Sequence, residues 1–353
     1  MIYWDNNATT PLAPEVLEAM LPYLRENYFN PSAAYTAGKN IRKAIDTARE
    51  QVAALVGADA SEIIFTSGGT EASNTALAQF KRVLTLATEH PATLRTARGE
   101  AAPVLANGQA DLPEWRELLP GHDGVSFAWA NHETGVIQPV RSLANAAQEA
   151  GARVHVDLVQ AAGKCPISLH DYPIDFASLS AHKLHGPKGI GALYVRTGTA
   201  WQPYLTGGAQ EDYRRAGTEN VAGIIGFGKA AGLALQARET YAALHTLRER
   251  FVTTLSVSGI EVCKMAAQLR GCRMCSTCEY RGYRQNLCSS FWNPWGCYAP
   301  PAPPAPVQNH IPATFCSRWD YPINKCGNRC VSPSRATRLH KRWMPQLPSS
   351  SRP

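Results

Sequence analysis

Between residues 60 and 260, short β-branched or apolar runs alternate with helical patterns, and no other feature limits the fold of this chain as strongly. Period-2 or continuously apolar runs predict strands over 62–66, 83–87, 125–130, 154–157, 176–180 and 190–195. Period-3.6 patterns predict helices over 71–77, over 139–150 and through the Ala-rich stretch from 222 to 257. Ahead of them, 14–23 and 39–56 read as amphipathic helices separated by an Asn30-Pro31-Ser32 turn. Strands that alternate with helices fold as a mostly parallel sheet flanked by helices, and ligands of such sheets bind at the carboxyl ends of the strands.

This grammar stops near residue 262, and the composition changes with it. The formal charge of +7 is unevenly spread: residues 1–262 carry 22 Lys+Arg against 26 Asp+Glu, and residues 263–353 carry 13 against 2. Cys165 is alone in the first part, whereas Cys263, Cys272, Cys275, Cys278, Cys288, Cys297, Cys316, Cys326 and Cys330 crowd the second. A polyproline-like run, Ala299 to Pro306, opens a stretch with no lasting periodicity. The tail is therefore expected to be largely irregular. Cys272-x-x-Cys275-x-x-Cys278 has the spacing of a zinc or iron–sulfur ligand set, but its flanks lack strand patterning and no metal is expected. Without a folded platform the basic charge supports no specific nucleic-acid partner. One cysteine in the body, no basic-then-apolar start and no apolar run of membrane-spanning length point to a cytoplasmic, reducing setting with no membrane.

Three segments of the body carry chemistry. Thr66-Ser67-Gly68-Gly69-Thr70-Glu71 joins a strand to a helix, so backbone N–H groups and the Thr70 hydroxyl would face an anion such as a phosphate; a plain tight turn has the same signature. His155-Val156-Asp157-Leu158-Val159-Gln160 places a carboxylate at a strand end and an amide three residues on, although a strand-end Asp is more often a helix cap. Ser180-Ala181-His182-Lys183-Leu184-His185-Gly186-Pro187-Lys188 sets a lysine among positive neighbours, which lower an amine's pKa as a Schiff base requires; a solvated basic loop is the plainer reading.

Taken in order, these segments resemble the cysteine desulfurases of the nitrogen-fixation type, pyridoxal 5'-phosphate (PLP) enzymes of the class V aminotransferase family. The resemblance covers residues 1 to about 262. It includes Tyr3 to Thr10, Asn30-Pro31-Ser32, Phe65 to Glu71, Thr88-Glu89-His90, Glu133 to Pro139 and Arg214 to Val221. It implies an aminotransferase type I fold, α/β, with a small second domain that is incomplete here. Residues 1–14 would begin the small domain, 15–250 form the large PLP-binding domain, 251–262 return to the small domain and 263–353 form the aberrant tail. It implies PLP held as an aldimine on Lys183, with His90 stacked on the ring and assisting proton transfer. Asp157 would meet the pyridine nitrogen and Gln160 the phenolic oxygen, and Gly69, Thr70, Ser180 and His182 would hold the phosphate. Thr218 would reach it from the other subunit of a homodimer. His132 stands where the family has Asn and is kept as a cofactor ligand; Gln210-Glu211-Asp212-Tyr213 departs from the family's Glu-Arg-Gly.

The same resemblance implies removal of sulfur from L-cysteine to give L-alanine and an enzyme-bound persulfide. The acceptor would be an iron–sulfur scaffold protein, with nitrogenase assembly as client. The family's loop cysteine, at its spacing from Lys183, falls within Pro303-Pro304-Ala305-Pro306, and no Ser-Ala-Cys-like loop follows residue 262. A change of reading frame near 260–264 is the expected origin of the tail. Two other readings stay open: a selenocysteine lyase or other β-eliminating enzyme on the same scaffold, and a cofactor-binding chain without turnover.

Overall fold

The computed structural model describes residues 3–237 and 240–258, together with 263–264, 277–280 and 283–286. Helices α1 (Pro14–Arg25) and α2 (Thr36–Val56) lead into β1 (Ile63–Thr66), α3 (Gly69–Leu77), β2 (Val83–Leu86), the single turn α4 (Pro91–Leu94) and β3 (Gly99–Ala102). There follow α5 (Leu112–Leu118), β4 (Gly124–Ala128), α6 (Val140–Glu149), β5 (Arg153–Asp157), β6 (Phe176–Ser180), β7 (Gly191–Val195), α7 (Val221–Gln236) and α8 (Thr240–Val257).

Seven strands form one mixed sheet in the order β1-β7-β6-β5-β4-β2-β3. The pairs β6–β5, β5–β4, β4–β2 and β2–β3 are parallel, and β7 is antiparallel to both β6 and β1. Only β7 therefore runs against the other six, and the expectation of a mostly parallel sheet flanked by helices holds. Strands β1, β2, β4, β6 and β7 are buried along their whole length, as strands covered on both faces must be.

Helix α2 buries Ile41, Ile45, Ala48, Val52, Leu55 and Val56, a stripe at helical spacing that faces α7 and the sheet. The contact with α7 is close: a Cβ on Gly228 would lie 2.6 Å from the Ala48 Cα. On the same helix the buried Arg49 guanidinium takes the Glu211 carboxylate in a two-pronged pair (2.5 and 2.8 Å) and donates to the Ile63 carbonyl at 2.9 Å. That pair ties α2, β1 and the 210–213 turn together, and the turn needs a tie, because Glu211, Asp212 and Tyr213 all have left-handed φ (49°, 56° and 61°).

One expectation needs correction. The 222–257 pattern is two helices, α7 and α8, with no Gly or Pro at their junction to mark it. Strand β3 and helix α5 were not expected from periodicity. Gly99-Glu100-Ala101-Ala102 is a strand through its parallel pairing with β2. Within the tail, β8 (Cys263–Lys264), β9 (Thr277–Tyr280) and β10 (Tyr283–Asn286) pair antiparallel, with Thr and Tyr residues suited to a pleated surface. The remaining tail residues, including the Pro-rich run and Cys272, Cys275, Cys297 and Cys316, lie outside the described residues.

Candidate active site

Because six strands point one way, their carboxyl ends meet along one edge of the sheet, and the expected site residues lie there. Asp157 ends β5 and Ser180 ends β6; His90 follows β2, Asn131 and His132 follow β4, and Gly69 and Thr70 open α3 after β1.

Asp157 is buried. Its Oδ1 accepts the Val159 N–H at 2.8 Å, which fixes the carboxylate and leaves Oδ2 for a ligand. Burial raises its pKa, against the Val159 N–H and the charges of His90 and Lys183. Lys183 follows β6 in a short 3-10 turn, Ala181–Lys183. Burial lowers its amine to about 8, with help from Lys164 and against Asp5 and Asp157. About a tenth of such an amine is neutral and nucleophilic at pH 7, far more than of an ordinary lysine.

His90 caps α4: its Nδ1 accepts the Ala92 N–H at 3.1 Å, so the proton of the neutral ring sits on Nε2. Burial lowers its pKa; Asp157 opposes this and Lys183 adds to it. His132 meets His90 edge to face, with ring centroids 5.3 Å apart. Burial, then His90 and Lys183, push its pKa down to about 4. His182, on the other side of Lys183, is pushed down to about 4 by burial and by Lys183, Lys188 and Lys164. Its Nδ1 lies 3.1 Å from Thr9 Oγ1.

Sequence reasoning gave no role to Asn7, which joins several of these groups. Its carbonyl accepts from Lys183 Nζ and, at 3.1 Å, from Gln160 Nε2, while its side-chain amide donates to the His132 carbonyl. Lys183 Nζ also donates to the Ala8 carbonyl at 2.9 Å. The density of the Asp5 to Thr10 motif was the available signal. Gln160 is occupied on its other side too, where Oε1 accepts from Lys164 Nζ at 2.9 Å. Asn131 shapes the 131–134 turn: Oδ1 accepts the N–H groups of Glu133 and Thr134, and Nδ2 donates to the Thr88 carbonyl at 2.8 Å. Beneath the site, buried His155 bridges Ser126 Oγ (2.8 Å) and Ser178 Oγ (2.7 Å), and Ser178 also accepts from Ser73. Full burial holds that imidazole neutral, with its pKa lowered to about 3.

The first turn of α3 has no side-chain cap, so its N–H groups remain open to an anion. Gly69 stands so close to the β5–β6 end that a Cβ there would lie 2.7 Å from Val159 Cγ2. Glu71 in this turn accepts the Ser67 N–H at 2.8 Å and pairs with Arg215 at 2.9 Å, which locks the turn to the 214–220 loop. Thr218 lies exposed on that loop, and no hydrogen bond joins it to the cluster among the described residues.

An open helix N-terminus, a buried carboxylate and a nearby amine of lowered pKa form a donor set that suits a phosphorylated pyridine aldehyde, and the sequence profile of the class V aminotransferases matches residues 2–289. The chain belongs to the cysteine desulfurase branch of that family. The cysteine desulfurase of Trichormus azollae is 47% identical over 272 residues, which span 72% of this chain and 68% of that protein. The cysteine desulfurase of Bradyrhizobium diazoefficiens is 47% identical over 255 residues, 67% of this chain and 65% of its own. A solved NifS-like protein, 35% identical, superposes with a TM-score of 0.76 over 80% of this chain and 82% of that one. SspA, solved in complex with cysteine, is 29% identical with a TM-score of 0.70, over 79% of this chain and 84% of its own. PLP is the cofactor of the family.

Proposed function

We propose that this chain removes sulfur from L-cysteine, giving L-alanine and a persulfide. The observation that carries the reading is the lowered Lys183 amine placed with the buried Asp157 and with His90 at one sheet end, in a chain whose relatives are cysteine desulfurases. SspA in complex with cysteine supports the substrate class.

PLP, when bound, supplies an electron sink next to the substrate α-carbon. Lys183 would bind it covalently, Asp157 would keep its ring nitrogen protonated, and Gln160 and His132 would lie toward its phenolic oxygen. The open N–H groups at Gly69 and Thr70, with Ser180 and His182, would hold its phosphate. His90 would stack on the ring and move protons through Nε2, the atom that carries its proton in the neutral form. His182 and His132, both neutral at pH 7, orient and donate hydrogen bonds without adding charge.

The reading extends to a homodimer in which Thr218, exposed on a loop tied to the phosphate turn by Arg215–Glu71, completes the partner's phosphate site. Residues 15–250 would be the large domain, flanked by the small-domain segments 1–14 and 251–262. The sulfur acceptor would be a cytoplasmic iron–sulfur scaffold serving nitrogenase assembly. No helix among the described residues is long and apolar enough to cross a membrane. Cys165 is buried, so the persulfide thiol would come from the cysteines after residue 262.

The test is the absorbance spectrum of the purified chain, followed by cysteine addition and assays for alanine and sulfide. A yellow protein that bleaches with borohydride and yields alanine supports the reading in full. A yellow protein that yields none keeps the cofactor site and shows that no tail thiol serves. Activity confined to selenocysteine makes the chain a lyase, and a colourless protein overturns the proposal.

A further inference from the structure

Glu89 lies in the turn between β2 and His90, with 4% of its surface exposed. Its carboxyl accepts the Ala128 backbone N–H from the end of β4, yet Oε2 is buried with no hydrogen-bond partner among the described residues. Among the described residues no cation pairs with it: the charge that acts on it across the sheet end is that of Asp157, which has the same sign. Its neighbour His90 cannot compensate, because its Nδ1 is engaged by the Ala92 N–H and burial disfavours its charged form. Two carboxyl groups at one buried sheet end, neither in an ion pair with a lysine or arginine among the described residues, cannot both ionise without a large desolvation cost.

We propose that Glu89 is a positioning residue, held as the neutral acid, which confines the negative charge of this carboxyl pair to Asp157. The inference rests on the role proposed for Asp157 above. Asp157 has a fixed hydrogen bond to the Val159 N–H and the opposing charges of His90 and Lys183, and Glu89 has only the Ala128 N–H; the charge therefore settles on Asp157. The groups that face the pair are Asp157 from β5, the Ala128 N–H from β4, His90 from the same turn and Lys183 from beyond β6. A neutral Glu89 costs the site an unpaired hydroxyl, where an ionised one would cost an unpaired charge.

Burial moves the Glu89 carboxyl up to about 8, and this sets the sign of its pH effect. The folded chain keeps a proton that the unfolded chain releases above 4.5, so this group's contribution to stability falls as pH rises from 4.5 to about 8. The experiment is an infrared titration of the chain carrying 13C-labelled glutamate, beside Glu89→Gln. We expect one protonated glutamate C=O band at neutral pH, lost with a midpoint of about 8 and absent from the variant. In the cofactor-loaded chain, the absorbance titration should have a step at that pH which Glu89→Gln lacks. A spectrum with no protonated glutamate at neutral pH overturns the proposal, as does a variant whose titration matches the wild type. If the variant does not fold, the infrared titration of the wild type decides alone. A chain that takes no cofactor would sink the proposed function and leave the infrared result to be read; an ionised Glu89 in a chain that releases alanine would sink this inference only.

Discussion

The two ends of the seven-stranded sheet treat charge in opposite ways. At the end where β1, β2, β4, β5 and β6 begin, three carboxylates are met by several donors or by a backbone N–H. Asp123 accepts the N–H groups of Lys81 (2.9 and 3.0 Å) and Arg82 (2.8 Å), and Asp175 accepts that of Val154 at 2.7 Å. Glu62 takes the Thr197 N–H (2.8 Å), the Asp59 N–H (3.1 Å) and His170 Nε2 (2.8 Å). Burial would raise Glu62 and Asp123, but these donors outweigh it and hold both below the usual carboxylate range. At the other end Glu89 and Asp157 are raised, and Lys183, His90 and His132 are lowered, with burial as the largest cause each time. Matched charges fasten the chain. Charges left short of partners are free to act on a ligand, and among these carboxyl, amine and imidazole groups the net shifts in the direction of desolvation gather at the end proposed to be functional.

The strongest attempt to break this division is Lys183→Ala, which is expected to abolish borohydride-sensitive absorbance and alanine formation while the thermal midpoint stays near that of the wild-type apo chain. Asp157→Asn should lower kcat/KM by about 10²–10³-fold, the size of one preorganised electrostatic contact, again with little change in stability. Glu62→Ala, at the opposite end, should do the reverse: about 1–3 kcal/mol of stability lost in denaturant titration, with kcat unchanged. Its pH signature sharpens the contrast. Glu62 has a depressed pKa, so its contribution is present above 4.5 and disappears as pH falls through its folded value; melting curves on the acid side should lose that slope in Glu62→Gln. Glu89 gives the opposite slope, on the alkaline side of 4.5. The smallest effect belongs to Asp123→Ala, where solvent screens three backbone contacts and about 1 kcal/mol is expected by chemical denaturation. An Asp123 variant that lost activity with unchanged stability would contradict the division.

Much of this arrangement can be read from the residues, and the gaps have physical causes. The sequence predicts a strand over 176–180 and β6 is Phe176–Ser180, because a run of that length is short for a helix and ends at a turn. Strand β3 was missed because Gly99-Glu100-Ala101-Ala102 has no strand-forming residue, and its conformation comes from β2 beside it. Helix α5 had a usable signal, since Asp111 caps it and Pro113 lies in its first turn, but it is only seven residues long. In the site, Lys183, Asp157 and His90 sit at strand ends that the alternation alone locates. Asn7 could not be placed that way: it acts on a lysine 176 positions later, through a carbonyl that every residue possesses. Glu89 stood inside a recognised motif, but its importance comes from what it lacks, and a missing partner leaves no mark in a sequence.

The single reversed strand has a further consequence, in the order of assembly. Because β7 returns alongside β6, with Ser180 opposite Gly191, Lys183 lies in a short loop between two neighbouring, hydrogen-bonded strands. Asp157 and His90 arrive only through parallel crossovers, each of which must close a long loop before it gains any contact. Closing the lysine loop requires less chain entropy than the crossovers that bring Asp157 and His90 to it. The reactive amine is thus set in place by local pairing, and the carboxylate and imidazole are brought to it by the slower, long-range part of folding.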